Sequence, residues 1–358
     1  MGGAVLVVNA GSTSLKLHLV DEGERVEPVA TIDEVDADLV MAVGHRVVHG
    51  GPHFRQPVVI DSDVRRGIVD LEPLAPLHNS PAISGIEAAS RALPRVPQVA
   101  VFDTAFHATI PPEAAIYALP RRWREEWGIR RYGFHGLSAA WSSERAPVLV
   151  NRPTESLRLV ICHLGGGSSV TAIRGGRSVD TTMGFSPLEG VPMTTRSGSV
   201  DPGALIHLIR HYGLDPATLD RDLNMESGLK GLAGGSGSMV ELELARQASD
   251  ANATLAIDVF VHRVAGAVAS MAAAAGGIDA LIFTAGIGEG SALIREEVCS
   301  RLEFLGVEVD RHRNAVAEPD CDIAADGSAV HVLIIRAREE LVVARAVRQT
   351  LSSSPDAV

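Results

Sequence analysis

Short motifs that combine charge with glycine or proline recur along this chain. GHRVVHGG, residues 44–51, sets His45, Arg46 and His49 at the exit of an apolar run and follows them with glycines. FDTAFH (102–107) sets Asp103 directly after another apolar run, where α/β proteins commonly place a metal-binding or basic carboxylate. PLHN (76–79) holds His78 between Pro76 and Pro81. YGFHG (132–136) brackets His135 with small and aromatic residues, and TTRSGSVDP (194–202) puts Arg196 in a turn before a helix. Each motif alone has an ordinary structural reading; Arg46, for one, suits a surface salt bridge. Together they supply two arginines, several histidines and a carboxylate at a strand end, which is the equipment of phosphoryl transfer.

Three glycine turns are candidates for holding the phosphate. NAGSTS (9–14) offers Asn9, Ser12, Thr13 and Ser14. HLGGGSSV (163–170) offers Gly165, Gly166 and Gly167, and GIGEG (286–290) follows an apolar run. Backbone N–H groups in such turns bind phosphate, and the same turns also serve as plain hairpin connections. The third is a poor dinucleotide fingerprint, its last glycine coming too early, and the chain has no GxxxxGK[ST].

The elements that must position these residues read as a repeated α/β unit. AVLVV (4–8) is an unbroken apolar run and LKLHLV (15–20) alternates with period two, so strand, turn, strand is expected. EPVATI adds a strand, VMAVGHRVV (40–48) and QVAVF (98–102) are buried strands, and 80–93 has helical spacing. A second series starts at residue 157, with LRLVICHL, SVTAI and RSVDTT as strands around the GGGSS turn. Helices follow over 203–212, 215–224 and 240–274. The last places Leu244, Ala248, Ala251, Leu255, Val259, Arg263 and Ala267 near one mostly apolar stripe. DALIFTAG (279–286) and HVLII (331–335) are further strands, and REELVVARAVRQTL is a final helix. VLVVNAGSTSLKL and LVICHLGGGSSVTA correspond, with Gly11 and Gly165 starting equivalent turns. That suggests a duplicated unit whose turns face a common cleft, though one pair of turns also arises by coincidence.

Composition narrows the function. At 358 residues the chain is long for one core, so two domains are expected. A formal net charge of −12 argues against nucleic acid as a partner, so an anionic substrate needs local cations. Lys16 and Lys230 are the only lysines, which leaves that work to arginine. Cys162, Cys299 and Cys321, odd in number and without CxxC, fit reduced cytosolic thiols. No signal peptide is evident, and the alanine-rich stretch at 264–278 reads as a core helix rather than a membrane span. A cytoplasmic protein without a membrane partner is expected.

NAGSTSLKL, GHRVVHGG, LAPLHN, FDTAFH, ALP followed by RRYGFHG, CHLGGGSS, TRSG and FTAGIGE, in this order and spacing, resemble the acetate kinase (acetokinase) family. The resemblance covers almost the whole chain, apart from a shortened stretch between residues 20 and 40. It implies an α/β fold of two duplicated ribonuclease H-like (actin-like ATPase) domains with an interdomain active-site cleft. Residues 1–105 plus 340–358 would form the acyl-side domain, and 106–339 the nucleotide-binding and dimerisation domain. It further implies reversible in-line phosphoryl transfer from ATP to acetate, giving acetyl phosphate and ADP, in a cytoplasmic homodimer using Mg²⁺ or alternatively Mn²⁺.

Carried onto matching positions, the implied catalytic residues are Asp103, Arg46, Arg196, His135, His78 and Asn9. Arg46, Val48, Leu77, Phe134 and Pro187 would hold the acyl substrate, and Asn9, Glu339 and Asp103 the metal. Nucleotide binding would fall to Lys16, Ser12, Ser14, His163, Gly165, Gly166, Gly167, Ser238, Met239, Val240, Gly286, Ile287, Gly288 and Gly290. Departures from the family pattern gather on that nucleotide side. Gly166 and Gly290 stand for asparagines, Ser238-Met239-Val240 for Asp-Phe-Arg, and RAREE for TNEE, while Thr194 and Ser199 alter MGTRSGD. Three readings compete: acetate kinase with an altered nucleotide pocket; a propionate kinase, or an acetate kinase using a donor such as pyrophosphate; and a catalytically impaired nucleotide-binding regulatory homologue. Sugar kinases share the fold but have no reason to hold GHRVVHGG, PLHN and YGFHG together.

Overall fold

The unbroken apolar runs become buried parallel strands, and the alternating runs become antiparallel ribbons beside them. The computed structural model describes residues 3–10, 15–72 and 76–353, the side chains of 76–78 excepted. Ser12, Ser14 and the side chains of Leu77 and His78 therefore lie outside the described residues. The chain divides into two units, Met1–Ala108 with Tyr132–Trp141 and Arg338–Val358, and Thr109–Arg131 with Ser142–Ala337. The segment carrying His135 and the start of the last helix thus group with the N-terminal residues, where the sequence reading had kept 106–339 together.

The first unit holds β1 (Ala4–Ala10), β2 (Leu15–Val20), β3 (Val26–Val29), β4 (Val40–Val47), β5 (Val58–Val59) and β6 (Gln98–Phe102) in the order β3-β2-β1-β4-β6-β5. The second holds β7 (Arg158–Leu164), β8 (Ser168–Arg174), β9 (Arg177–Thr181), β10 (Ala280–Thr284), β11 (Cys321–Asp322) and β12 (His331–Ile334) in the order β11-β12-β10-β7-β8-β9. Shifting each strand number of the first sheet by six reproduces the second. The senses agree as well. β1, β4 and β6 run parallel like β7, β10 and β12, the ribbons β1-β2-β3 and β7-β8-β9 are antiparallel, and each sheet ends on a short antiparallel edge strand. Two ribonuclease H-like units result, and their duplication rests on six strands rather than one pair of turns.

Helix Glu339–Ser353 packs on β1, β4 and β6. It approaches β4 at Gly44, where a Cβ would come within 2.7 Å of the side chains of Val343 and Val347, so only glycine admits the helix. In the second unit the expected 240–274 helix breaks. Met239–Gln247 ends, Ser249 takes a left-handed φ of 65°, and Asp250 caps Ala251–Ala275 by accepting from the Ala253 N–H. Ala251–Ala275 is long and apolar enough to cross a membrane, yet Ile257, Phe260, Val261, Val264 and Val268 bury it in the unit core. The mostly apolar stripe read from the sequence is not the buried face. Leu244 is 60% exposed, Leu255 is 52% exposed, and Arg263 is also exposed.

Candidate active site

In the first unit, three parallel strands end together and deliver one polar group each. Asn9 closes β1 opposite Arg46 of β4, and Asp103 follows β6 with its N–H bound to the Val47 carbonyl. Helix Glu339–Ser353 brings Glu339 as its first residue. The Arg46 guanidinium collects all of them. It donates to Asp103 Oδ2 at 2.6 and 3.1 Å and to Asn9 Oδ1 at 3.2 Å, and it pairs with Glu339 Oε2 at 3.1 Å. Asp103 is fully buried. Burial pulls the Arg46 pKa down, but the charges of Asp103 and Glu339 outweigh it and hold the guanidinium above its ordinary value. The cluster carries two carboxylates against one cation.

The segment around His135 reaches this cluster because residue 136 is glycine. A Cβ on Gly136 would overlap the carbonyl oxygen of Asp103. His135 itself takes a left-handed φ of 56° as the chain enters helix Gly136–Val150. Phe134 and Val48 are buried, and the Phe134 carbonyl accepts from His107 Nε2 at 2.9 Å. The His49 ring packs edge-on against Tyr132 and Phe134, and the Asn79 side chain both accepts from the His49 N–H and donates to its carbonyl. Asn79 thus explains PLHN as a structural lock on the GHRVVHGG strand exit. Lys16 is exposed on β2, opposite Asn9.

In the second unit the glycine turns adjoin. A Cβ on Gly165 would meet Ala285 and the Gly286 nitrogen at van der Waals distance, and one on Gly288 would meet the strand ends at Phe283 and Cys162. His163 is half-buried on β7, and Ile287 lies in the short helix Ala285–Gly290. The Gly166 carbonyl accepts from the Thr194 N–H, which ties this turn to the Arg196 loop. A Cβ at Gly166, Gly286 or Gly290 would meet nothing within 4 Å. Arg196 donates to the Pro187 carbonyl at 3.0 Å and to Met193 Sδ at 3.6 Å, and burial lowers its pKa. Ser238 stands at the N-cap position of helix Met239–Gln247 without a side-chain cap bond, Val240 is 69% exposed, and the Met239 side chain lies in the apolar core.

The acetokinase family profile matches residues 25–345. This chain belongs to the acetokinase family. It is 47% identical to an acetate kinase of Microcystis aeruginosa over 351 residues, 96% of this chain and 87% of that one. Among solved structures, an acetate kinase of Porphyromonas gingivalis superposes with a TM-score of 0.90 at 34% identity, covering 98% of this chain and 100% of that chain. A propionate kinase of Francisella tularensis gives the same TM-score and identity, covering 96% and 98%. This acetokinase is accordingly a phosphotransferase with a carboxyl group as acceptor. Its structure gathers Asn9, Arg46, Asp103 and Glu339 in one hydrogen-bonded group within the first unit and brings His135 to the same strand ends. Arg196, Pro187 and the nucleotide-side glycines belong to the second unit. Sequence reasoning missed Tyr117, Arg131, Asp180 and Glu189, which surround the Pro187 loop; Arg131 alone had a signal, as the second arginine of RRYGFHG.

Proposed function

We propose that this acetokinase transfers the γ-phosphoryl group of ATP to acetate, reversibly and in line, giving acetyl phosphate and ADP. The observation that carries the reading is Arg46, held at three converging strand ends by Asp103, Glu339 and Asn9. An acetate anion and an anionic phosphoryl group repel each other, so the reaction needs fixed positive charge between them. Arg46 stays protonated at every working pH, and Arg196 supplies the second guanidinium. Two such arginines stabilise charge on the transferring phosphoryl, each worth roughly 10³ to 10⁵ in rate. His135 would donate to its equatorial oxygens, as would His78 by resemblance to the family, and Asn9 would orient it. Acetate is already ionised at neutral pH, so Asp103 is needed for geometry and charge rather than as a base. Val48 and Phe134, both buried, supply apolar surface for the methyl group. Such a pocket separates acetate from propionate by only about 1–3 kcal/mol.

Asn9, Asp103 and Glu339 converge as hard oxygen donors, a set that suits Mg²⁺, with Mn²⁺ as the substitute. When bound, the ion supplies positive charge at the phosphate oxygens.

A second reading concerns the donor. The open space beside Gly166 and Gly290, with Met239 buried and Val240 bare, favours loosened purine contacts, so another nucleoside triphosphate or pyrophosphate competes with ATP. A hydroxamate assay with acetate or propionate, Mg²⁺, and ATP, GTP or pyrophosphate tests both readings. Acyl phosphate formed with ATP and acetate supports the first. Activity with pyrophosphate alone replaces it, and no product from any donor leaves the regulatory homologue.

The homodimer finds support in surface chemistry. Helix Pro202–Tyr212 buries none of its residues and exposes Ile206, Ile209 and Tyr212, while Leu255 stands out from its own helix. Exposed apolar faces of this kind mark protein interfaces. Free cysteines at 162, 299 and 321 fit the reducing cytoplasm.

A further inference from the structure

We infer that Tyr117, Arg131 and Glu189 form a clamp that positions Arg196 for phosphoryl transfer, an inference that rests on the role given to Arg196 above. The loop after β9 runs from Thr182 to Gly190 and carries Pro187. Arg131 closes its start and its end at once. Its Nη1 donates to the carbonyls of Thr181, Thr182 and Met183 at 2.7, 2.9 and 3.1 Å, and its Nη2 donates to Glu189 Oε1 at 3.0 Å. Tyr117 pins the middle. Its hydroxyl accepts from the Phe185 N–H at 2.9 Å and donates to Glu189 Oε2. Burial and the Glu189 carboxylate raise the Tyr117 pKa, so the phenol keeps the proton it donates. Gly184 leaves room for this arrangement, since a Cβ there would overlap both the Glu189 carboxylate and the Tyr117 hydroxyl.

The clamp's product is the position of one carbonyl. Pro187 O accepts from Arg196 Nη1 at 3.0 Å. The backbone around Arg196 has bonds of its own, one of them to the loop's last residue, Gly190. The Arg196 carbonyl accepts from Met193 N–H, Ser197 N–H binds the Leu223 carbonyl, and Ser199 N–H binds the Gly190 carbonyl. Backbone bonds therefore hold the Arg196 main chain, while the tip of its side chain is aimed by a loop that the clamp closes. A guanidinium displaced by an ångström loses much of its value to a transition state. Tyr117, Arg131 and Glu189 are positioning residues, and none needs to touch substrate.

The test is a double-mutant cycle read in kcat, since only groups acting through Arg196 lose their effect when Arg196 is gone. Tyr117→Phe removes the bridging hydroxyl, and Glu189→Ala removes the tie between Arg131 and Tyr117. Each is combined with Arg196→Ala. We expect kcat to fall about tenfold in Glu189→Ala and several-fold in Tyr117→Phe, with KM for ATP within twofold of the parent. In the Arg196→Ala background neither change should lower kcat further by as much as twofold. Equal losses in both backgrounds, or an unchanged kcat in Tyr117→Phe, overturn the clamp. Near-normal turnover in Arg196→Ala alone overturns the role of Arg196 instead, so the two failures are distinguishable. If Glu189→Ala does not fold, Tyr117→Phe carries the cycle.

Discussion

Arg46 holds its place through charge as much as through shape. Replacing it with alanine leaves Asp103 buried without its cation, so both folding and turnover suffer. Arg46→Ala should lower kcat by 10³-fold or more, as roughly expected for a phosphoryl-clamping arginine. Turnover near the parent value, in protein shown folded by circular dichroism, would remove that role. The neighbouring His45 predicts a pH effect of its own. It is buried, its Nε2–H donates to Gln98 Oε1 at 2.7 Å, and burial lowers its pKa to about 4 from 6.5. Below pH 6.5 the unfolded chain takes up a proton that the folded chain refuses. Stability is therefore present above pH 6.5 and lost as pH falls towards 4, by up to about 3 kcal/mol. Urea melts at pH 7.5 and 4.5 should show that loss shrinking in His45→Gln. The same drop in both proteins would assign acid sensitivity elsewhere. Gly166 supplies a third expectation. With open space around it, Gly166→Asn should fold as stably as the parent and lower KM for ATP; an unchanged KM would mean that a side chain there does not meet the donor.

At the scale of elements, the motifs at strand exits were legible because each joins an apolar run to a polar pair, and the structure ends β1, β4 and β6 where those pairs stand. The helix after Glu339 was legible too, yet its dependence on Gly44 was not, since a close approach leaves no periodic trace. Gly44→Ala should cost about 1–3 kcal/mol, as overpacked cores do, and should depress kcat by shifting Glu339 away from Arg46. A denaturation midpoint equal to the parent's would show that the helix yields freely. The apolar stripe at 244–267 did not reveal the buried face. Helical period finds an apolar face but cannot say which of two such faces is buried, and the face with Ile257, Phe260, Val261, Val264 and Val268 is the buried one. The clamp stayed hidden because Tyr117 and Glu189 lie 72 residues apart and nothing in RRYGFHG ties Arg131 to either of them.

For the whole molecule, the duplication was suggested by one pair of turns and is written in all six strands of each sheet. If the exposed faces of Pro202–Tyr212 join two copies, Ile209→Asp with Tyr212→Asp should sediment as a monomer while the parent sediments as a dimer. A monomeric parent would end that proposal. The assembly of the first unit from both ends of the chain also fixes an order of birth. On a ribosome, β1 to β6 emerge early, but the helix that covers Gly44 and brings Glu339 emerges only after the entire second unit. The second unit can settle during synthesis, while the first waits with one apolar sheet face bare and Arg46 missing a carboxylate. Unfinished chains are thus born without a complete catalytic group and most exposed to chaperones at the surface that the last helix will seal.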